Sequence, residues 1–154
     1  MARRVFFSFN HDEDIWRANQ VRNANVVAGP HLAGFFDNSE YEVAKKAGKD
    51  GIQRMILSHL KGTTVTVVLI GTETANRPWV KYEIELSIAR KNGLLGIYIH
   101  HLKDPNKPPT SRGAKPAVPR GVDFPAYDWD KDLDRFRKEI EAAGKRADAL
   151  RAAK

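Results

Sequence analysis

In the segment Asn76-Arg77-Pro78-Trp79-Val80-Lys81-Tyr82-Glu83-Ile84-Glu85-Leu86-Ser87, Glu83 follows Trp79 by one helical turn. It lies on a side of the helix where carboxylates are scarce. At about 3.6 residues per turn, Val80, Ile84 and Ile88 form one apolar arc, Trp79, Tyr82 and Leu86 form another, and Glu83 projects between them. Lys81, Glu85 and Asn92 take the solvent side. An acid on a core-facing stripe is costly to dehydrate, so it must be paired, hydrogen-bonded or turned toward a cleft that holds something polar. Arg90 or Arg22 would answer that need as a structural ion pair. A cleft would answer it as a functional site that holds something polar.

The elements that must position Glu83 follow from the apolar pattern. Arg4-Val5-Phe6-Phe7-Ser8-Phe9 is a short apolar run ending at Asn10-His11-Asp12, which predicts a buried strand and then a helix with Asp12, Glu13 and Asp14 at its positive end. A brief second strand is expected over 33–36, closed by Asp37-Asn38-Ser39. Ile52, Met55, Ile56 and Leu60 mark an amphipathic helix, preceded by a segment that Gly48 interrupts. The β-branched run 63–70, bounded by Gly62 and Gly71, predicts the central strand. Pro78 opens the next helix, and Gly93 is expected to end it in a left-handed conformation. A fourth strand over 94–99, a basic proline-rich loop over 102–122, a short edge strand within 124–129 and a last helix from 130 to about 145 complete the chain. The tail 145–154 is expected to fray.

Strands that alternate with helices and are apolar throughout imply an α/β fold: a doubly wound, mainly parallel sheet of flavodoxin-like order, with about five strands and helices on both faces. Such sheets bind ligands beyond the carboxyl ends of the strands where the winding reverses. That rule places Phe9 and Asn10 opposite Thr72, with Glu83 within reach. Each candidate has a second reading. Asn10 suits a helix cap, Phe9 core packing, Asp37 a turn instead of a ribose contact, and Arg77 the surface instead of a diphosphate.

The 154 residues, 42% of them hydrophobic, are expected to form one domain over 1–154. With no run of about 18 apolar residues and no apolar stretch behind Arg3-Arg4, neither a membrane span nor a signal peptide is expected, and the expected location is cytoplasmic. The absence of cysteine excludes thiolate nucleophiles, disulfides and zinc–thiolate sites. Five histidines show no metal-site spacing, so no metal is expected. Much of the +7 net charge lies in the 102–122 stretch, through Lys103, Lys107, Arg112, Lys115 and Arg120. Aromatic residues are not interleaved there, which disfavours nucleic acid as a partner and suggests a mobile basic loop. No Gly-x-Gly-x-x-Gly or Walker-type phosphate cradle is present.

Taken in register, these segments resemble the TIR domain, and more closely the TIR-like subunit of the Thoeris antiphage defence system. The residues that carry the resemblance are Arg4-Val5-Phe6-Phe7-Ser8-Phe9, Val21-Arg22-Asn23, Gly34-Phe35-Phe36-Asp37, Ala44-Lys45-Lys46, Thr64 to Gly71, and Arg77-Pro78-Trp79-Val80-Lys81-Tyr82-Glu83-Ile84. The resemblance implies an antiviral signalling enzyme that cleaves NAD at the nicotinamide–ribose bond. Its product would be a cyclic ADP-ribose isomer, a diffusible nucleotide signal that activates a separate effector protein. Glu83 would be the catalytic residue. Trp79 and Tyr82 would line the substrate site, with Phe9, Asn10, Asp37, Thr72 and Arg77 as further substrate contacts. NAD would be the substrate, with no cofactor. The resemblance leaves room for a phage-derived trigger and a homo-oligomer, and the contrasting expectation is a TIR-like scaffold that acts by self-association or protein binding. Gly34-Phe35-Phe36-Asp37 departs from the proline-bearing loop of animal and plant TIR domains.

Overall fold

The computed structural model describes residues 3–22 and 43–153. Strand β1 (Val5–Ser8) leads into α1 (His11–Arg22), and α2 (Gly48–Leu60) precedes β2 (Val65–Ile70). A single 3-10 turn (Thr74–Asn76) then leads to α3 (Pro78–Ala89), followed by β3 (Gly93–Tyr98), β4 (Ala126–Asp128) and α4 (Leu133–Ala152). The four described strands form one sheet in the order β1-β2-β3-β4, and every pairing is parallel. The strand expected at 33–36 lies outside the described residues, as does Asp37.

Side-chain alternation along the strands divides the core between two layers. Val5 and Phe7 of β1, with Val65, Val67 and Leu69 of β2, meet Ala18 and Val21 of α1 and Phe136 and Ile140 of α4. On the opposite face Phe6 packs with Ile52, Ile56 and Leu60 of α2, while Val68 and Ile70 meet Val80 and Ile84 of α3. Ser8, two residues beyond Phe6, therefore projects toward the layer made by α2 and α3. All six residues of β2 are buried and the strand is paired on both edges, as expected of the central strand.

Three expectations change. Helix α3 ends in a Schellman arrangement with Lys91 at φ 63 in the left-handed position, the amide of Asn92 donating to Ser87 O at 2.9 Å and that of Lys91 to Ile88 O at 3.0 Å. Gly93 instead opens β3, where a Cβ would stand 1.9 Å from the carbonyl oxygen of Ala143. What demands glycine there is the close approach of α4, not a turn. The tail is helical to Ala152, because Ala147 is buried and Arg151 donates to Asn92 Oδ1 at 2.7 Å and Arg90 O at 3.0 Å.

The basic loop, expected to be mobile, is instead tied down. Lys107 Nζ donates to Glu13 O at 2.8 Å, Lys115 Nζ to Phe124 O at 2.8 Å, and the Arg112 guanidinium lies 3.8 Å from the Tyr98 ring centroid. A Cβ on Gly113 would stand 2.2 Å from Gly71 O, so the loop rests directly on the carboxyl end of β2.

Candidate active site

Glu83 is 4% exposed, on the inner face of α3 with Val80, Ile84 and Ser87. The apolar neighbours one turn away bury this face, and the carboxyl group goes in with them. Its Oε1 accepts a hydrogen bond from Ser8 Oγ at 2.6 Å. Among the described residues no cation pairs with it, and Oε2 has no donor. Burial pushes the Glu83 carboxyl up to about 8, with the Ser8 hydroxyl pulling the other way. The turn that carries it is fixed separately: Ser87 Oγ donates to Glu83 O at 2.8 Å and lies 2.7 Å from Thr66 Oγ1 on β2.

In front of Glu83 is a cavity of about 50 Å³. Phe9 and Asn10 border it just beyond β1, His11 from the start of α1, Ile52, Met55 and Ile56 from α2, and Arg77, Pro78, Trp79 and Val80 from the start of α3. A volume of that size holds a few waters, whereas pockets for drug-sized ligands run from roughly 300 to 1,000 Å³. As the described residues border it, the space is too small for a dinucleotide. Arg77 sits at its edge and pairs with Asp12 at 2.7 Å.

A sequence model described as "Thoeris protein ThsB, TIR-like domain" matches residues 6–104. The chain is also 42% identical over 134 residues to a Bacillus cereus (strain MSX-D12) protein named "Putative cyclic ADP-D-ribose synthase ThsB1", covering 86% of this chain and 67% of that relative. The chain belongs to the ThsB family of TIR-like Thoeris proteins. The matched span holds every element that borders the cavity and stops short of most of the basic loop and all of α4.

Within this ThsB-family domain, five of the expected residues come together around the cavity: Phe9, Asn10, Arg77, Trp79 and Glu83. Two do not border it. Thr72 gives its hydroxyl to Ser111 O at 2.5 Å, held there by the loop that rests on β2. Tyr82 turns into the α2 layer, where it meets Trp79 edge-on at 5.7 Å between centroids. Asn10 is not a side-chain cap: its backbone oxygen accepts from the amide of Asp14 at 2.8 Å, but its buried Oδ1 has no partner among the described residues.

The sequence reading missed His11 and Ser8. His11 stacks on Phe9 at 4.0 Å, borders the cavity, and is pushed by burial down to about 4, so it is neutral at physiological pH. Its place one residue after Asn10 was the available signal, hidden because the histidines were weighed only as metal ligands. Strand alternation with Phe6 could have found Ser8. Among the described residues no cluster of three or more acidic, histidine or cysteine side chains could hold a metal.

Proposed function

We propose that this chain cleaves NAD at the nicotinamide–ribose bond and closes the remaining ADP-ribose into a cyclic isomer, with Glu83 as the catalytic residue. The observation that carries the reading is a buried carboxyl group with no cation partner among the described residues, bordering a cavity lined by Trp79 and Arg77. The name of the Bacillus cereus relative supports the same chemistry. Most glycosidic bonds need an acid to protonate the leaving group, but the nicotinamide of NAD is already cationic and departs neutral. One carboxylate then suffices. It stabilises the positive charge that grows on the ribose as the bond breaks, an effect of about 3 to 4 kcal/mol where such groups are preorganised.

Burial leaves the Glu83 carboxyl largely protonated at neutral pH while no substrate is bound. A pyridinium ring within a few ångströms reverses that balance, because an opposite charge at about 4 to 6 Å lowers a carboxyl pKa by roughly 1 to 3 units. Substrate binding thus generates the charged form that the bond cleavage uses. Asn10 Oδ1, lacking a partner among the described residues, suits a ribose hydroxyl, and Arg77 at the cavity edge suits the diphosphate. Apolar walls from Ile52, Met55 and Ile56 keep water from the ribosyl cation, which favours attack by an atom of the bound nucleotide over hydrolysis. NAD is substrate here, and no step requires a cofactor.

In this reading the cyclic product diffuses to a separate effector in the cytoplasm, and a phage-derived trigger makes room for NAD at the site. Among the described residues no helix is long and apolar enough to cross a membrane. The small cavity also favours a second reading, a scaffold that works through self-association and turns over nothing. Incubation with NAD, alone and in lysate of infected cells, followed by mass spectrometry of nucleotides, separates the two. Product that disappears with Glu83→Gln supports the enzyme; no product in either condition leaves the scaffold.

A further inference from the structure

Resting on the NAD reading above, we propose that Ser8 is the positioning residue of this site: its hydroxyl fixes the orientation of the Glu83 carboxyl group and favours the ionised form that cleaves the bond. Ser8 is the last residue of β1 and has 0% exposure, so its hydroxyl has no route to solvent and no face to offer a dinucleotide. Its side-chain partner is Glu83 Oε1, 75 positions along the chain, at 2.6 Å. That distance falls in the range of O–H···O⁻ bonds, about 2.5 to 2.7 Å, which are stronger than neutral ones.

Two consequences follow from the geometry. The terminal torsion of a glutamate is soft, with a broad distribution, and a donor on a rigid central element holds it at one value. With Oε1 held by Ser8, Oε2 is the oxygen left to meet the sugar. Because the hydroxyl donates to the carboxylate, it stabilises the charged form against the dehydration that opposes it. The backbone of Glu83 is anchored independently through Ser87 and Thr66, so loss of the Ser8 hydroxyl alters the carboxyl group and leaves the helix in place.

Among the described residues, other charged groups near the cavity are few. His11 from the start of α1 and Arg77 from the start of α3 border it, with Asp12 and then Lys45 beyond Arg77. The α2 residues at the cavity are apolar, and Lys81 and Glu85 of α3 point to solvent. Burial holds His11 neutral above about 4, so among these described groups a titration between pH 6 and 9 belongs to Glu83.

The test compares wild type, Ser8→Ala and Ser8→Thr by two measurements. One is the pH profile of cyclic product formation from NAD under whichever condition activates the wild type. The other is a 13C NMR titration of the Glu83 carboxyl carbon, assigned with Glu83→Gln. Ser8→Ala is expected to move both midpoints up by about one pH unit, a tenfold weaker acid, and to lower kcat about tenfold while KM changes less than about twofold. Ser8→Thr, which keeps the hydroxyl, is expected to restore both. An NMR midpoint unmoved in Ser8→Ala, or one that Ser8→Thr fails to restore, overturns the proposal. Wild-type protein that makes no product while the NMR midpoint moves as stated overturns the NAD reading and upholds the hold of Ser8 on Glu83.

Discussion

Replacing Glu83 with glutamine should change stability little at pH 5 and raise it at pH 8, because the two side chains differ mainly in whether they can be forced to carry charge in a dry site. The folded-state value for Glu83 is about 8 against an ordinary value of 4.5, so the native state keeps a proton that the unfolded chain has released. Stability from this group is therefore fully present below pH 4.5 and is lost as pH rises toward 8. The slope is about 1.4 kcal/mol per pH unit, which sums to an upper bound on the order of 5 kcal/mol across that interval. Glutamine keeps an oxygen to accept from Ser8 and never ionises, and its amide group stands where the protonated carboxyl group already carries an O–H, so the two side chains are closely matched while Glu83 holds its proton. Near pH 5, where both side chains are uncharged, the two proteins should differ by less than about 1 kcal/mol. At pH 8 the variant gains by about 2 to 4 kcal/mol, which for a domain of this size corresponds to a melting shift on the order of 5 to 10 °C. Urea denaturation of both proteins at pH 5, 6, 7 and 8 gives the difference curve, in which every shared titration cancels. Parallel curves, offset by the same amount at every pH, would show that Glu83 ionises as an exposed acid does, and the argument from dehydration would fail.

Three further outcomes are expected. For the free enzyme, kcat/KM for NAD rises with pH through about 8 and then levels, since the unloaded site must lose the Glu83 proton; a profile already flat above pH 6 contradicts this. Asp14→Ala leaves the Arg17 guanidinium, 1% exposed, without its 2.9 Å carboxylate partner, and chemical denaturation should register a loss of about 3 to 5 kcal/mol. Gly93→Ala forces a methyl group against the Ala143 carbonyl of α4 and should cost about 1 to 3 kcal/mol by the same measurement, with β3 or α4 shifting to accommodate it.

The alternation of apolar runs and helical stripes was enough to establish a doubly wound α/β chain, a central strand at Val65–Ile70 and a buried acid at Glu83, because periodicity reports which face of an element avoids water. The same pattern brought Phe9, Asn10, Arg77 and Trp79 to one crevice, since the ends of neighbouring parallel strands share an edge. Tertiary packing decided the rest. The donor to Glu83 is Ser8, a residue 75 positions away that only sheet pairing and helix docking bring to 2.6 Å. The loop over β2 captures Thr72, and the close approach of α4 claims Gly93 for packing instead of a turn. The sequence alone determined that an acid would be buried here, because burial follows from local pattern. Its hydrogen bond to Ser8 and its raised proton affinity were decided only by the folded chain, because both depend on groups that meet after distant segments close around them.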